Sequence, residues 1–266
     1  MKTSPWTAER IKALKGTTKV ACLTAYDFNT ARYADTAGMH MILVGDSLAM
    51  TVLWYPTTLP VTMEQMLHHT AAVVRGVTSA MVVADMPFMS YQVSAGQALA
   101  NAGRFIKDAG AAGVKLEGGA FRADTIRALV QNGIPVLGHI GLTPQSIRQT
   151  GGYKVQGKND EDAGRLIADA QALQEAGVFS IVVECVPPAL GQAITRAVTV
   201  PTIGIGAGPH CDGQILVSHD LLGLSGQTVP RFVKRYADLG DQMLKAFQEY
   251  RQDVEDGRFP AEEHGY

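Results

Sequence analysis

The stretch that decides the fold is Met41-Ile42-Leu43-Val44-Gly45-Asp46-Ser47, in which four apolar residues run into glycine, aspartate and serine. A continuous apolar run of this kind is typical of a strand that is buried on both faces. Asp46 follows the run closely, so we expect its carboxylate to emerge from the core at the carboxyl end of the strand. In parallel α/β folds that end is where ligands bind.

Three further apolar runs, residues 80–85, 113–117 and 180–184, also end in an acidic residue. In all, eight strand-like runs alternate with helical segments, which is the pattern of a (β/α)8 barrel. An open doubly wound sheet is the alternative, but it rarely needs eight strands in a chain of this length. We therefore predict a single-domain (β/α)8 TIM barrel of the α/β class over residues 1–266.

A helix is predicted near each end of the chain, over about residues 7–14, where Thr7 can cap it, and about residues 230–254. Two long segments without a clear pattern, residues 47–60 and 141–158, follow predicted strands. Loops of that length in a compact domain are usually functional. The second one is rich in glycine, and we expect it to act as a mobile lid.

The composition excludes several classes of protein. The chain has 23 basic and 25 acidic residues, a formal net charge of −2, so we expect no nucleic-acid partner. Three widely spaced cysteines indicate neither a disulfide framework nor a zinc site. No signal peptide or apolar run of about 18 residues is evident, so a cytoplasmic location without membrane association is expected. Charged residues are only 18% of the chain, which favours self-association.

Asp46 and Asp85 are candidates for a metal site. They follow neighbouring predicted strands, and carboxylate oxygens together with water are the ligands that Mg²⁺ prefers. Each aspartate alone fits equally simple roles, as a helix cap or as the partner of a lysine. Glu117 at the end of the next strand favours the metal site.

Lys115 is two residues before Glu117, so both side chains leave the same face of one strand. A lysine in a buried strand is costly unless it is paired. Three roles remain open for it: binding a substrate carboxylate, forming a Schiff base with a carbonyl, or making a structural salt bridge with Glu117.

Glu184 ends an apolar strand, and such surroundings suit a general base, although a helix cap is the alternative. His139 leaves the fifth predicted strand and either bonds a substrate oxygen, orients a metal ligand or is a satisfied structural histidine. Ser47 is expected to bond a carboxylate or to cap a helix or a turn. Residues 204–208, Gly-Ile-Gly-Ala-Gly, weakly resemble a phosphate-binding loop but lack the GxGxxG fingerprint.

Seven longer motifs lie at the ends of the predicted strands or in the loops after them. They are residues 43–48, 59–62, 84–88, 114–119, 138–146, 151–157 and 203–208. Together they resemble the ketopantoate hydroxymethyltransferase family, and the likeness runs from about residue 19 to about residue 257.

The resemblance implies a barrel related to the phosphoenolpyruvate mutase and isocitrate lyase group. It also implies transfer of a hydroxymethyl group from 5,10-methylenetetrahydrofolate to 3-methyl-2-oxobutanoate, which gives 2-dehydropantoate in pantothenate biosynthesis. The expected route passes through an enolate stabilised by Mg²⁺. Members of the family form large cyclic homo-oligomers, commonly decamers, so a homodecamer is expected.

The resemblance also assigns roles to individual residues. Those for the metal fall on Asp46, Asp85 and Glu117, those for the oxo acid on Asp46, Ser47, Asp85 and Lys115, and that of the general base on Glu184. One departure is Trp54, which stands where the resemblance leads us to expect a glycine in the loop after the second strand.

Three other functions remain open. A lysine-dependent aldolase would use Lys115 as its nucleophile. A metal-dependent lyase would cleave a C–C or P–C bond of a 2-oxo acid, but no cysteine stands at a suitable catalytic place. A carboxylate-binding sensor would use the same barrel mouth, although four acidic strand ends and two long loops exceed what binding needs.

Overall fold

A computed structural model of the chain describes residues 5–226 and 229–266. Within them, eight parallel strands form one closed barrel in chain order. The strands are β1 Val20–Thr24, β2 Met41–Val44, β3 Met81–Asp85, β4 Gly113–Glu117, β5 Val136–Gly141, β6 Ser180–Glu184, β7 Thr202–Ile205 and β8 Gly213–Leu216. Closure comes from parallel pairing of β8 with β1. The predicted (β/α)8 barrel is therefore confirmed.

Eleven α-helices connect or flank the strands in the described part of the chain. They are α1 Ala8–Lys12, α2 Phe28–Thr36, α3 Leu48–Thr51, α4 Met63–Gly76, α5 Ala95–Lys107, α6 Ala123–Gln131, α7 Ile147–Thr150, α8 Asp160–Ala176, α9 Pro188–Ala197, α10 Ser218–Leu222 and α11 Leu239–Glu255. Short 3₁₀ turns lie at Ala120–Arg122, Pro144–Ser146 and Glu262–His264.

Side chains along β2 alternate between two apolar cores. In β2, Ile42 and Val44 belong to the large core that lies between the strands and the helices. Met41 and Leu43 belong to a second core inside the barrel. This alternation follows from the two-residue period of a strand. It explains why β2 is apolar at every position, since both of its faces are buried.

The N-terminal helix packs against the inner core at the amino-terminal end of the barrel. Thr7 caps α1 as predicted, since its side chain accepts a hydrogen bond from the backbone N–H of Arg10. The helix ends at Lys12, before the predicted limit of residue 14. Ile11 is fully buried and joins the inner core beside Val20 at the start of β1. The amino-terminal end of the barrel is thereby filled with apolar side chains.

The chain divides into two compact units. The first ends at Val217 and holds the barrel with α1 to α9, and the second is Ser218–Tyr266 with α10 and α11. Single-domain organisation over residues 1–266 stays a prediction. In the second unit the prediction of a helix starting at residue 230 is wrong, because α11 begins at Leu239 after a non-helical Asp238. Residues 230–238 include aromatic and β-branched side chains, which lose rotamer freedom in a helix, and this disfavours an earlier start of α11.

The two segments predicted as loops contain short helical turns. The segment after β2 includes α3, and the segment after β5 includes the 3₁₀ turn Pro144–Ser146 and α7. Both follow carboxyl ends of strands, which is the end of the barrel where we expect ligands.

None of the described helices combines the length and the apolar content that a membrane span requires.

Asp35 in α2 holds the segment that leads into β3. Its carboxylate accepts hydrogen bonds from the backbone N–H groups of Thr78 (2.9 Å), Ser79 (3.0 Å) and Ala80 (2.6 Å), and from the Thr78 hydroxyl (2.8 Å). Partial burial alone would raise the pKa of this carboxyl, but the hydrogen bonds outweigh it and lower the pKa. The ionised form is therefore favoured by folding.

We predict that Asp35→Asn lowers the free energy of unfolding at pH 7 by about 1–3 kcal/mol. The reason is that the NH₂ group of the asparagine would face backbone N–H groups that now donate to the carboxylate. Since the folded-state pKa lies below the unfolded value, the contribution is fully present above the unfolded pKa of about 4 and is lost as pH falls through the folded pKa. Urea unfolding of wild type and variant between pH 7 and pH 3 tests this.

Asp108→Asn is the matched control, because Asp108 is exposed at the end of α5. We expect it to change stability by less than about 0.5 kcal/mol. A difference between Asp35→Asn and wild type that stays constant down to pH 3 would contradict the prediction.

Candidate active site

The interior-facing row of β3 changes from apolar to charged at its carboxyl end, and the corresponding row of β4 is charged there as well. Met81 and Val83 belong to the inner core, and the two-residue period places Asp85 next in their row. Lys115 and Glu117 end the corresponding row of β4. Asp85 lies level with Lys115 in the pairing of the two strands. The sequence pattern therefore brings an acid and a lysine together inside the mouth of the barrel.

The next two strands extend this ring of polar side chains. His139 of β5 follows Leu137 in its row and lies level with Glu117. Glu184 of β6 follows Val182 in the same way. These five side chains belong to residues that the sequence analysis proposed for the site. The structure brings them together at the carboxyl ends of the strands, as expected.

Lys115 is almost fully buried and forms the centre of an ion-pair cluster. Its Nζ lies 2.8 Å from Asp85 Oδ1 and 3.9 Å from Glu117 Oε1. Burial alone would lower the pKa of the Lys115 ammonium, but Asp85, Glu117 and Asp46 outweigh it and raise the pKa above its usual value. The lysine is therefore held as a cation, which disfavours a neutral amine that would attack a carbonyl.

Asp46 lies just past the end of β2 and is also buried, with 4% of its surface exposed. Its backbone N–H donates to Asp85 Oδ2 (3.2 Å), which places the two aspartates side by side. Burial, and then repulsion from Asp85 and Glu117, raises the pKa of Asp46 well above its usual value. Burial, and then Glu117, also raises the pKa of Asp85, although Lys115 acts against this shift. Additional positive charge beside the two carboxylates would therefore favour their ionised form.

The residues present fit a divalent cation. Asp85 Oδ1 and Glu117 Oε1 are buried and lack a well-aligned hydrogen-bond donor, although both lie near the Lys115 ammonium. Among the described residues, no three His, Cys, Asp or Glu side chains form a ready-made metal cluster. Mg²⁺ usually retains several waters and takes only one or two carboxylates from the protein. Asp46 and Asp85 are therefore a sufficient pair, and a direct part for Glu117 stays a prediction.

His139 links Glu117 and Glu184. Its Nδ1 lies 3.5 Å from Glu117 Oε1 and its Nε2 lies 3.1 Å from Glu184 Oε2. Burial and then Lys115 act to lower the pKa of His139, but the two glutamates outweigh them and raise it to about 9. Burial alone would raise the pKa of Glu117, and the contact with His139 contributes most to lowering it. A histidine in contact with two acids is well placed to orient Glu184.

Glu184 is the most accessible of the acids in this cluster, since its side chain retains 16% exposure while Glu117 retains 3%. A group that removes a proton from a substrate must be reached by that substrate, so the greater exposure fits the predicted base.

Ser47 does not cap a helix through its side chain. Its hydroxyl lies 2.8 Å from the hydroxyl of Tyr26, which follows β1. Of the two roles left open by the sequence, helix capping is excluded for this side chain. Contact of Ser47 with a substrate carboxylate stays a prediction.

Gln145 and Tyr91 are buried polar residues that the sequence did not single out. Gln145 Nε2 donates to Asp46 Oδ2 (2.9 Å), and the Tyr91 hydroxyl donates to Gln145 Oε1 (2.7 Å). Gln145 lies inside one of the resembling motifs, but a glutamine after proline in a loop gives no signal of burial. Only the fold shows that it contacts Asp46.

The two long loops touch each other near the cluster. The hydroxyl of Tyr153 donates to the sulfur of Met50 in α3 (3.2 Å). Burial raises the pKa of Tyr153, with smaller contributions from Asp46 and Glu184, so its hydroxyl is near the acids. The position agrees with a lid, although movement of this loop stays a prediction.

The glycine-rich turn after β7 has a packing explanation. A side chain at Gly208 would meet Pro188 at 2.6 Å, and one at Gly191 of α9 would meet the carbonyl of Ala207 at 2.3 Å. Glycine is therefore needed where α9 approaches the turn. This accounts for the small residues without a phosphate.

Comparison with known proteins adds three kinds of finding. The family model described as ketopantoate hydroxymethyltransferase matches residues 5–262. The 3-methyl-2-oxobutanoate hydroxymethyltransferase of Carboxydothermus hydrogenoformans is 57% identical over 248 residues, which are 93% of this chain and 90% of that protein. The enzyme of the same name from Syntrophobacter fumaroxidans is 57% identical over 260 residues, 98% of this chain and 92% of that protein.

Solved structures show the fold at much lower identity. Phosphoenolpyruvate phosphomutase from Streptomyces platensis subsp. rosaceus aligns with a TM-score of 0.62 at 15% identity, covering 94% of this chain and 88% of that one. A 2,3-dimethylmalate lyase, described as a member of the PEP mutase/isocitrate lyase superfamily, gives 0.60 at 16% identity, covering 94% and 86%. The barrel is thus shared with that group, and the family match over nearly the whole sequence shows that the chain belongs to the ketopantoate hydroxymethyltransferase family.

Proposed function

We propose that the chain transfers a hydroxymethyl group from 5,10-methylenetetrahydrofolate to 3-methyl-2-oxobutanoate and so forms 2-dehydropantoate for pantothenate biosynthesis. The acceptor is the compound named in relatives that are 57% identical, and the folate donor follows from the family resemblance. The observation that carries the chemistry is the buried cluster of Asp46, Asp85 and Lys115, with Glu184 beside it. A 2-oxo acid carries a carboxylate next to a carbonyl. The Lys115 ammonium can pair with the carboxylate, and a cation held by Asp46 and Asp85 would polarise the carbonyl.

We assign the metal site to Asp46 and Asp85, with Glu117 close by. Bound there, Mg²⁺ would act as a Lewis acid that stabilises the negative charge developing on the keto oxygen. The protein's part is to keep both aspartates ionised and fixed in a site largely closed to water. The hydrogen bonds to the two aspartates favour their ionised form, and the burial of both side chains limits contact with water.

Glu184 is the general base in this proposal, and it takes the proton from C3 of the oxo acid. His139, 3.1 Å from Glu184 Oε2, orients the carboxylate towards the barrel mouth. Lys115 and Ser47 bind the carboxylate of the oxo acid and fix which face of C3 the base meets. C3 then forms a bond to the methylene carbon of the folate, and both bonds from that carbon to the folate nitrogens break. Water supplies the hydroxyl group on the transferred carbon, the proton taken from C3 and one proton of that water end on the two nitrogens, and tetrahydrofolate leaves.

The lysine-dependent route is less favourable on this geometry. A Schiff base requires a neutral amine, whereas Lys115 is held as a cation among Asp85, Glu117 and Asp46. The lyase and sensor alternatives gain no support from the relatives. These proteins are named as hydroxymethyltransferases, and the residues matched by this chain cover at least nine tenths of their length. Assembly as a homodecamer and location in the cytoplasm stay predictions.

We predict that Glu184→Gln slows exchange of the C3 hydrogen of 3-methyl-2-oxobutanoate by about 10²-fold or more, because the amide cannot accept the proton. Exchange is measured by proton NMR in D₂O with Mg²⁺ and without folate. Binding of the oxo acid, measured by calorimetry, should change only a few-fold.

Glu175→Gln is the control, since Glu175 is an exposed residue of α8. It should exchange the C3 hydrogen at the wild-type rate. Exchange by Glu184→Gln at that same rate would show that another group is the base.

We predict that removing divalent ions with EDTA abolishes transfer and that added Mg²⁺ restores it, because Asp46 and Asp85 require a cation. Borohydride treatment in the presence of the oxo acid should leave the mass of the protein unchanged, because Lys115 is protonated. Product formation and intact-protein mass spectrometry give the two measurements. An adduct on Lys115 together with full activity in EDTA would support the aldolase instead.

A further inference from the structure

Gln145 lies at the centre of a hydrogen-bond network beside the acidic cluster. It is 5% exposed and belongs to the 3₁₀ turn Pro144–Ser146. Its Nε2 donates to Asp46 Oδ2 and to the carbonyl oxygen of Met86, both at 2.9 Å. Its Oε1 accepts from the hydroxyl of Tyr91 (2.7 Å) and from Nε2 of Gln92 (3.2 Å). Both amide hydrogens and both oxygen lone pairs are therefore used.

This network fixes the direction of the amide. If the amide were flipped, its oxygen would face the oxygens of Asp46 and Met86, and its NH₂ group would face the NH₂ group of Gln92. Buried polar groups without partners cost about 1–3 kcal/mol each, so the flipped form is excluded. Asp46 Oδ2 therefore always meets a donor, which favours the ionised carboxylate and leaves its other oxygen for a different partner.

The same residue also restrains Glu117. The backbone N–H of Gln145 donates to Glu117 Oε2 (3.0 Å), and the backbone N–H of Glu117 donates to the Tyr91 hydroxyl (3.2 Å). Gln145 and Tyr91 thus connect the loop after β2, the end of β4 and the loop after β5. Two of the three acids assigned to the metal are held through one side chain and its own backbone.

We propose that Gln145 is a positioning residue that fixes the carboxylates of Asp46 and Glu117 for a divalent cation, and that Tyr91 fixes the Gln145 amide. The inference deepens the proposed function and rests on its metal site. Partners that orient metal-binding carboxylates typically contribute 10- to 100-fold in metal affinity or activity. The turn that carries Gln145 begins the second long loop, so this contact also ties the base of that loop to the metal site.

The test is Mn²⁺ binding to substrate-free, metal-free protein. Binding is measured by calorimetry and by the electron paramagnetic resonance signal of free Mn²⁺. Gln145→Leu keeps the backbone N–H but removes both side-chain donors and the acceptor. We expect its Mn²⁺ dissociation constant to rise about 10- to 100-fold. Tyr91→Phe keeps the ring and should weaken Mn²⁺ binding in the same direction by a smaller factor, and it serves if Gln145→Leu does not fold.

Gln65→Leu is the matched control. Gln65 completes the capping box of α4 and donates to the hydroxyl of Tyr55 (3.1 Å), so its loss removes a part-buried hydrogen bond and a capping hydrogen bond, neither of which involves the acids. It should lower stability while leaving Mn²⁺ binding unchanged. In transfer assays, excess Mg²⁺ should restore much of the activity of Gln145→Leu, since the defect lies in occupancy and placement of the ion.

Two outcomes would overturn the inference: Mn²⁺ binding to Gln145→Leu within about twofold of wild type, or equal weakening in Gln65→Leu. Failure of the proposed function is recognised separately. Wild-type protein that binds Mn²⁺ but transfers no hydroxymethyl group to 3-methyl-2-oxobutanoate would refute the function. Weaker Mn²⁺ binding by Gln145→Leu would still support the positioning role in that case.

Discussion

The structure at the barrel mouth depends on an imbalance of buried charge. Asp46, Asp85 and Glu117 are each at most 4% exposed, and the Lys115 ammonium forms ion pairs with only two of them. Removing each ion from water costs several kcal/mol, whereas a pair at 4 Å contributes about 4 kcal/mol at an effective dielectric constant of about 20. Lys115 and His139, whose pKa is raised to about 9, supply two positive charges against four acids when Glu184 is included. The raised pKa of Asp46 follows from burial and from this excess of acids, and a divalent cation would offset the remaining negative charge.

Much of this site could be predicted because barrel geometry converts a linear pattern into a cluster. In a closed parallel barrel, interior-facing acids at the carboxyl ends of the strands all project into the same mouth. Asp85, Glu117 and Glu184 therefore lie in one cluster whatever conformation the loops adopt. Gln145 could not be predicted, because its place depends on how the loop after β5 folds back onto Asp46. The start of α11 was missed for a related reason, since local propensity between residues 230 and 238 is weak and nothing in the pattern specifies Asp238 as the boundary.

Trp54 shows that a turn can survive the loss of its expected glycine. Its φ of 58° lies in the left-handed region, which costs a non-glycine residue about 1–2 kcal/mol. The following residue is held from two sides, because Tyr55 N–H donates to the carbonyl of Ala49 (2.7 Å) and the Tyr55 hydroxyl accepts from Gln65 (3.1 Å). These bonds offset the strain and retain the turn. The loop therefore retains a left-handed backbone conformation at this position, and the indole is exposed.

The apolar half of the barrel interior decides how the acids can be reached. Met41, Met81 and Ile203 fill the space below the cluster, and Ile11 of α1 is buried among them. Ions and small polar molecules do not cross such a core, because desolvation without compensating partners is too costly. Access must come from the carboxyl end of the strands, where Tyr153 and Met50 join the two long loops. A small molecule that reaches Glu184 must therefore pass these loops, so the geometry that buries the acids also makes the conformation of the loops part of access to them.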